Sequence, residues 1–242
     1  MDYCNKKINF LHSKKSIKIT TKLPTTSSNP TCQVYLCIDL AIPNKTYCLK
    51  IITARCDDKN HNSSINIEIV LLLSLASDPN IIHIIDYYSM TSQNNNVYFI
   101  LMEYANKGTL YDLLKKNYND KVLLNESQIY KIIYHISHGL LSIHKNKYAH
   151  RDLIPENILL LSNDNNNNVN TLEYKICDFS SSSNKYYDVT NHFNKQEIIQ
   201  DVTKCTNALY RAPEQYQLYK MFPINIQVDC YALGIILFRC SI

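Results

Sequence analysis

Glycine is nearly missing from this chain: three residues in 242, roughly a five-fold depletion against ordinary usage. The three, Gly108, Gly139 and Gly234, stand far apart. Their scarcity excludes the G-x-G-x-x-G and G-x-x-x-x-G-K-[ST] loops, which need two or three glycines within about eight residues. A nucleotide bound here is not held by an ordinary glycine-rich phosphate cradle. Paired cysteine motifs are also missing. Nine cysteines, an odd number with no C-x-x-C, read as reduced thiols rather than a disulfide framework. No basic stripe accompanies the net charge of +4, so nucleic acid is not an expected partner. The longest apolar stretch, Ile67 to Ala76, is broken by Glu68 and Ser74 and is about half a membrane-spanning length. The first residues, MDYCNKK, lack the apolar core of a secretory signal. Asp2 excludes N-myristoylation, Cys240-Ser241-Ile242 is one residue short of a prenylation box, and Cys4 reads as an exposed thiol rather than an acylation site. A cytoplasmic location follows, with a peripheral place on a membrane left open.

What is present is a chain with core-forming capacity, 45% hydrophobic and 19% charged, which excludes wholesale disorder. Ser16–Thr21, Gln33–Asp39 and Thr46–Thr53 are short runs rich in Ile, Val, Tyr and Thr, bounded by turn residues. Ile65–Ala76 is apolar at helical length and is stopped by Ser77-Asp78-Pro79-Asn80. Strands at His83–Met90 and Val97–Tyr104 follow, joined by the polar loop TSQNNN. After Gly108 the pattern turns helical. Glu126–Asn146 carries Ile129, Ile132, Ile133, Ile136, Leu140 and Ile143 at spacings of three and four. The tract Asn163–Asn170 reads as a solvated hairpin insertion. Five strands with one helix, then a helical half, predict an α+β protein of two lobes.

The chemistry sits in His150-Arg151-Asp152-Leu153-Ile154-Pro155-Glu156-Asn157, followed by Asp178-Phe179-Ser180 and by Tyr210-Arg211-Ala212-Pro213-Glu214. Upstream stand Tyr47-Cys48-Leu49-Lys50 at the end of a strand and Glu68 inside a helix. Each alone is weak, since a lone strand lysine or intrahelical glutamate is ordinarily a solvated side chain. Their order and spacing resemble the protein-kinase set of catalytic loop, magnesium motif, strand lysine and helix glutamate. The resemblance implies a bilobal kinase fold: an extension at 1–22, an N-lobe at 23–104 and a C-lobe at 105–242. Asp178-Phe179-Ser180-Ser181, Tyr210-Arg211-Ala212-Pro213-Glu214, Leu218-Tyr219 and Val228-Asp229-Cys230-Tyr231-Ala232-Leu233-Gly234 are similar to the Numb-associated family of adaptor-associated and actin-regulating kinases.

That resemblance implies ATP and Mg²⁺ as cofactors and a protein Ser/Thr substrate, with clathrin-adaptor or endocytic proteins as the family's partners. Phosphoryl transfer asks the protein to neutralise phosphate charge and to place a hydroxyl in line. By the same resemblance, Lys50 holds the phosphates and pairs with Glu68, while Asp178 and Asn157 supply hard oxygen ligands to Mg²⁺. Asp152 accepts the substrate's hydroxyl proton. Met102 gates the adenine pocket, the backbone of Glu103 and Ala105 meets the base, and Val34 and Cys48 roof it. His150 and Phe179 pack with Leu72, and Arg151, Phe179 and Glu214 are regulatory. Candidate phosphosites for Arg151 are Ser181, Ser182, Ser183, Thr190, Thr203 and Thr206. The three histidines His135, His138 and His144 lack the partners of a zinc site. All three glycines fall where kinases carry glycine for packing.

Four departures mark phosphate handling. Ser27, Asn29 and Cys32 occupy the glycine positions of the phosphate loop, with Pro30 between, adding Cβ atoms and removing an N–H. Ile154 stands where the catalytic-loop lysine belongs, a loss of order 10²–10³ in rate. Asn207 replaces the threonine three residues before Tyr210, and Ser180 replaces the glycine after Phe179. A weakly active kinase and a pseudokinase acting as a binding module are therefore both carried forward. The last helix, Gln227–Cys240, is apolar on most sides, so the C-lobe is expected to be incomplete at Ile242 and the chain aggregation-prone.

Overall fold

The computed structural model describes residues 3–24, 31–42, 44–162, 171–187, 195–216 and 223–242. The chain divides into two compact units: the residues up to Ser77 with Ile82–Ala105, and Asp78–Ile81 with Asn106–Ile242. The fold is α+β, as the sequence pattern requires.

In the first unit the strands are β1 (Lys7–Phe10), β2 (Lys15–Leu23), β3 (Cys32–Asp39), β4 (Thr46–Arg55), β5 (Ile84–Ser92) and β6 (Asn95–Glu103), with helix α1 (Lys59–Ser74) after β4. All pair antiparallel in the order β1-β2-β3-β4-β6-β5. The sheet therefore has six strands where five were expected, because part of the supposed N-terminal extension forms β1. Four residues of mixed polarity carry little periodicity of their own. What places them is the core: Phe10 is 2% exposed and meets Tyr88 of β5 at 5.3 Å between ring centroids. Ser13 N–H donates to Asp86 Oδ2 at 2.7 Å, and Tyr3 meets Phe99 edge-on at 6.0 Å. The first strand in the order thus comes round to the last, enclosing Ile17, Ile19, Tyr35, Leu49, Phe99 and Leu101.

Two boundaries differ from the sequence pattern for local reasons. α1 begins six residues before Ile65 because Asp58 caps it, accepting from His61 N–H at 2.9 Å, so the polar run KNHNSS forms its first turns. The β5–β6 connection is only Gln93 and Asn94, at φ 49° and 64°. Asparagine tolerates that left-handed conformation, so a two-residue turn forms and most of TSQNNN is strand.

The second unit is built around α3 (Glu126–Lys145), preceded by α2 (Leu110–Asp120) and followed by the hairpin β7 (Ile158–Leu161) with β8 (Glu173–Ile176). α4 (Lys195–Cys205), the short α5 (Pro213–Tyr216) and α6 (Val228–Cys240) complete it. Capping boxes start both α2, through Thr109 and Asp112, and α3, through Asn125 and Gln128. Gly139 lets α3 approach the chain at Asn80: an added Cβ would sit 2.9 Å from Ile176 Cδ1 and 3.0 Å from Asn80 O. Gly108 holds φ +76°, which leads the chain into α2. Gly234 is not a packing glycine as expected, for nothing described lies within 4 Å of its would-be Cβ. The Asn163–Asn170 tract lies outside the described residues.

Candidate active site

In the first unit, strand register gathers one set of the sequence-predicted residues. Val34 opposes Lys50, which opposes Ile100; Cys48 opposes Leu36 and Met102. Because side chains alternate across a sheet, Val34, Cys48, Lys50 and Met102 share the face opposite the core residues Tyr35, Leu49 and Leu101. Lys50 is 7% exposed and donates from Nζ to Glu68 Oε1 of α1 at 2.6 Å. Glu68 is 1% exposed, so the solvated reading of either residue is excluded. Burial pushes the Cys48 thiol up to about 12 against the opposing charge of Lys50, which keeps it neutral. Glu103 N–H donates to His83 O at 3.0 Å, and Ala105 is half-buried at the end of the unit. Cys32, aligned by sequence with the last glycine of the phosphate loop, is the first residue of β3, opposite Ile52. Ser27, Asn29 and Pro30 lie outside the described residues.

In the second unit, the catalytic-loop segment is tied down from behind by Asp229 at the start of α6. That carboxylate, 1% exposed, accepts the backbone N–H groups of His150 and Arg151, both at 2.8 Å, and lies 2.8 Å from His144 Nε2. Arg151 thereby keeps a left-handed φ of 68°, a conformation costly for a residue other than glycine. His150 is fully buried, edge-on to Phe179 at 5.3 Å, with Nε2 3.0 Å from Cys177 O. Leu72, the third residue that the resemblance implies for this packing, is fully buried.

Asn157 Nδ2 donates to Asp152 O at 2.8 Å and to Asp152 Oδ2 at 3.2 Å. This turns the amide oxygen of Asn157 away from Asp152. Burial raises the Asp152 pKa; the charge of His150 opposes and that of Asp178 adds to the rise. Two carboxylates in mutual repulsion, with a free amide oxygen on the asparagine bonded to one of them, have the hard-oxygen chemistry that fits a divalent cation such as Mg²⁺. The left-handed φ of this motif belongs to Asp178, at 62°, and not to Ser180. The Ser180 departure is therefore corrected: no glycine conformation is needed at that position.

The other departures resolve differently. Ile154 is 8% exposed, an apolar side chain at the lysine position. Asn207 uses its side chain to accept from Leu209 N–H at 3.0 Å. Arg151 donates to Asp201 Oδ2 of α4 at 2.6 Å and to Ser181 O at 2.9 Å, and the Tyr187 hydroxyl bonds the same Asp201 oxygen. Burial would raise Asp201, but Arg151 and Tyr187 outweigh it and hold the carboxyl below its usual range. Of the candidate phosphosites, Ser182 is buried, Thr206 Oγ1 is bonded to Val202 O and Arg211 Nε, and Thr190 lies outside the described residues. Glu214 is half-buried. His135, His138 and His144 go separate ways, to Tyr174 N–H, to the Tyr134 ring and to Asp229.

Sequence reasoning missed the anchoring work of Asp229, Asp201 and Tyr187. Asp229 was visible as part of a motif, but its donors lie about eighty residues upstream. Asp201 carried no local signal.

The family model described as protein kinase domain matches residues 30–241. The chain belongs to the protein kinase family. Its relatives include a probable serine/threonine-protein kinase of Dictyostelium discoideum, 32% identical over 198 residues, covering 81% of this chain and 17% of the relative. Actin-regulating kinase 1 of Saccharomyces cerevisiae is 29% identical over 197 residues, covering 79% of this chain and 29% of its own length. The yeast actin-regulating kinase PRK1 is 29% identical over 181 residues, covering 73% and 21%. This chain accordingly spans less than a third of each of these proteins, and the actin-regulating branch is the one its motifs resemble.

A kinase whose base is Asp152 has a definite acid limb. The carboxyl must be ionised to take a proton, and a raised pKa keeps it protonated to higher pH than an ordinary aspartate. The rate is expected to fall on acidification at a pH above the ordinary value of 3.8, and saturating Mg²⁺ beside Asp178 is expected to shift that limb downward. A limb unmoved by Mg²⁺ in pH-rate profiles would place the ion elsewhere.

Proposed function

We propose that this chain transfers the γ-phosphate of ATP to serine or threonine hydroxyls of a protein, in the cytoplasm. The observation that carries the reading is the joint retention of the buried Lys50–Glu68 pair and of Asp152 bonded by Asn157 beside Asp178. Bound Mg²⁺–ATP supplies the phosphoryl group and the counter-charge. The chain's own work is positioning: Lys50, oriented by Glu68, meets the phosphates, and Asn157 and Asp178 present oxygens to the metal. Asp152 takes the hydroxyl proton, held in line by Asn157. Val34, Cys48 and Met102 line the base. Arg151 already has a carboxylate partner in Asp201, so the catalytic loop is braced without a phosphate on the activation segment. The actin regulation in the names of the yeast relatives, together with the endocytic partners that the family resemblance implies, is the partner class we infer for the substrate.

A second reading, a pseudokinase that binds nucleotide or partner without turnover, is favoured by one observation: the burial of Ile154. Label transfer and thermal shift with Mg²⁺–ATP separate the two. Transfer onto Ser or Thr, with a melting temperature raised by saturating Mg²⁺–ATP, is expected. A raised melting temperature with no label on any acceptor selects the second reading, and no shift with no label removes both.

A further inference from the structure

One end of the first unit's sheet carries a surface that phosphoryl transfer does not use. β1 and β2 turn there at Leu11–Lys14, and Leu40–Ile42 and Asn44–Lys45 lie between β3 and β4. The turns are fastened together: Leu40 N–H donates to Ser16 O at 2.8 Å, and Lys15 Nζ lies 3.6 Å from Asp39 Oδ2. Three large apolar side chains stand in water at these turns, Leu11 at 86%, Leu40 at 44% and Ile42 at 50% exposure. Lys14 and Lys45 are exposed within the same turns. On the sheet face turned from the core, Lys7 directly opposes Lys18, which opposes Ile38 of β3. Like charges paired across strands destabilise a sheet, so the fold carries this pair at a cost that a negative partner would offset.

Among the described residues, no carboxylate is paired with Lys7, Lys14, Lys18 or Lys45. Asp39 is the only acidic residue from position 3 to 56. It is 8% exposed and already accepts from Tyr47 OH, Ala41 N–H and Ile42 N–H. Asp86, which accepts from Ser13 N–H, is 5% exposed. Apolar turn tips ringed by lysines match a bilayer surface with anionic headgroups. The tips enter the headgroup boundary, and the lysines lie along it with their charges on lipid phosphates. A polyanion such as nucleic acid would use the lysines but would give Leu11 and Ile42 nothing apolar to bury against.

We propose that the exposed side chains of Leu11, Lys14, Leu40, Ile42 and Lys45 at these turns dock this chain on an anionic membrane surface. This specifies the membrane-peripheral alternative raised by the sequence, and it rests on the first unit alone, not on phosphoryl transfer.

The test is co-sedimentation of the 242-residue chain with phosphatidylcholine vesicles, pure or containing phosphatidylserine, at low and high salt. Binding to the anionic vesicles is expected to be at least about ten-fold tighter than to the neutral ones and to fall with salt. Changing Lys7, Lys14 and Lys18 together to Glu is expected to weaken it about a hundred-fold, from about five-fold per lysine. Leu11→Ser with Ile42→Ser is expected to cost about ten-fold while leaving the salt dependence in place. These side chains lie outside the core, so melting temperatures should hold; the corresponding Lys→Gln set replaces the Glu set if charge reversal shifts them. Equal binding to neutral and anionic vesicles, or none to either, overturns the proposal. So does binding indifferent to the Leu11 and Ile42 changes, or tighter binding to a nucleic-acid homopolymer than to vesicles. Label transfer by the same variants in solution is expected to match the unmodified chain, so failed docking leaves the kinase reading standing.

Discussion

Lys50→Met is expected to remove most phosphoryl transfer and a large part of the chain's stability at once. Lys50 and Glu68 are 7% and 1% exposed and 2.6 Å apart. Breaking a buried pair from one side leaves the other charge without its compensation, a loss of about 3–5 kcal/mol. For a chain of this size that corresponds to a melting temperature lower by about 6–20 °C. The rate loses a preorganised cation at the phosphates, a factor of about 10²–10³. The two effects separate in a double variant. Lys50→Met with Glu68→Leu removes both charges, so it is expected to recover much of the melting temperature and none of the rate. Recovery of transfer in that variant would show that Lys50 acts only through the fold.

Asp229→Ala carries the second large effect, and it lies outside the residues that touch substrate. Three donors converge on this carboxylate, the N–H groups of His150 and Arg151 and the His144 ring, each at 2.8 Å. Truncation leaves buried donors without acceptors, at about 1–3 kcal/mol for each unsatisfied group. It also releases the contact that holds Arg151 at φ 68°. A loss of about 3 kcal/mol or more is expected in urea unfolding. Transfer should slow as well, since Asp152 follows directly on Arg151. Asp229→Asn keeps one acceptor oxygen and should fall between the two. A melting curve unchanged by Asp229→Ala would mean that α6 does not brace the catalytic loop.

What the sequence disclosed follows from how local each feature is. Lys50, Glu68, Asp152, Asn157 and Asp178 were legible because their order and spacing are a pattern of the chain itself. Strand register then explains why Val34, Cys48 and Met102 accompany Lys50 on one face, which alternation alone anticipates. β1 was not legible, because its reason for existing is Phe10 meeting Tyr88, seventy-eight residues away in the sequence. Asp201 was invisible for the same reason, its partner Arg151 being fifty positions upstream. The lysines of the first turns looked dispersed along the chain, and no basic stripe was evident. Only the β1–β2 register sets Lys7 against Lys18. The glycine deficit raised the doubt about phosphate handling, and the structure narrows it. Ser180 needs no glycine conformation, while the phosphate-loop positions Ser27, Asn29 and Pro30 lie outside the described residues and Ile154 stays at the lysine position.

The central claim is that Asp152 performs base catalysis of phosphoryl transfer in this chain. Single-turnover transfer of γ-labelled phosphate from Mg²⁺–ATP to a Ser/Thr acceptor tests it, with the unmodified chain and Asp152→Asn side by side. The expected result is label on Ser or Thr with the unmodified chain, and a rate lower by about 10²–10⁴ in the variant at an unchanged melting temperature. Equal rates in the two proteins, or no label from either, would contradict it.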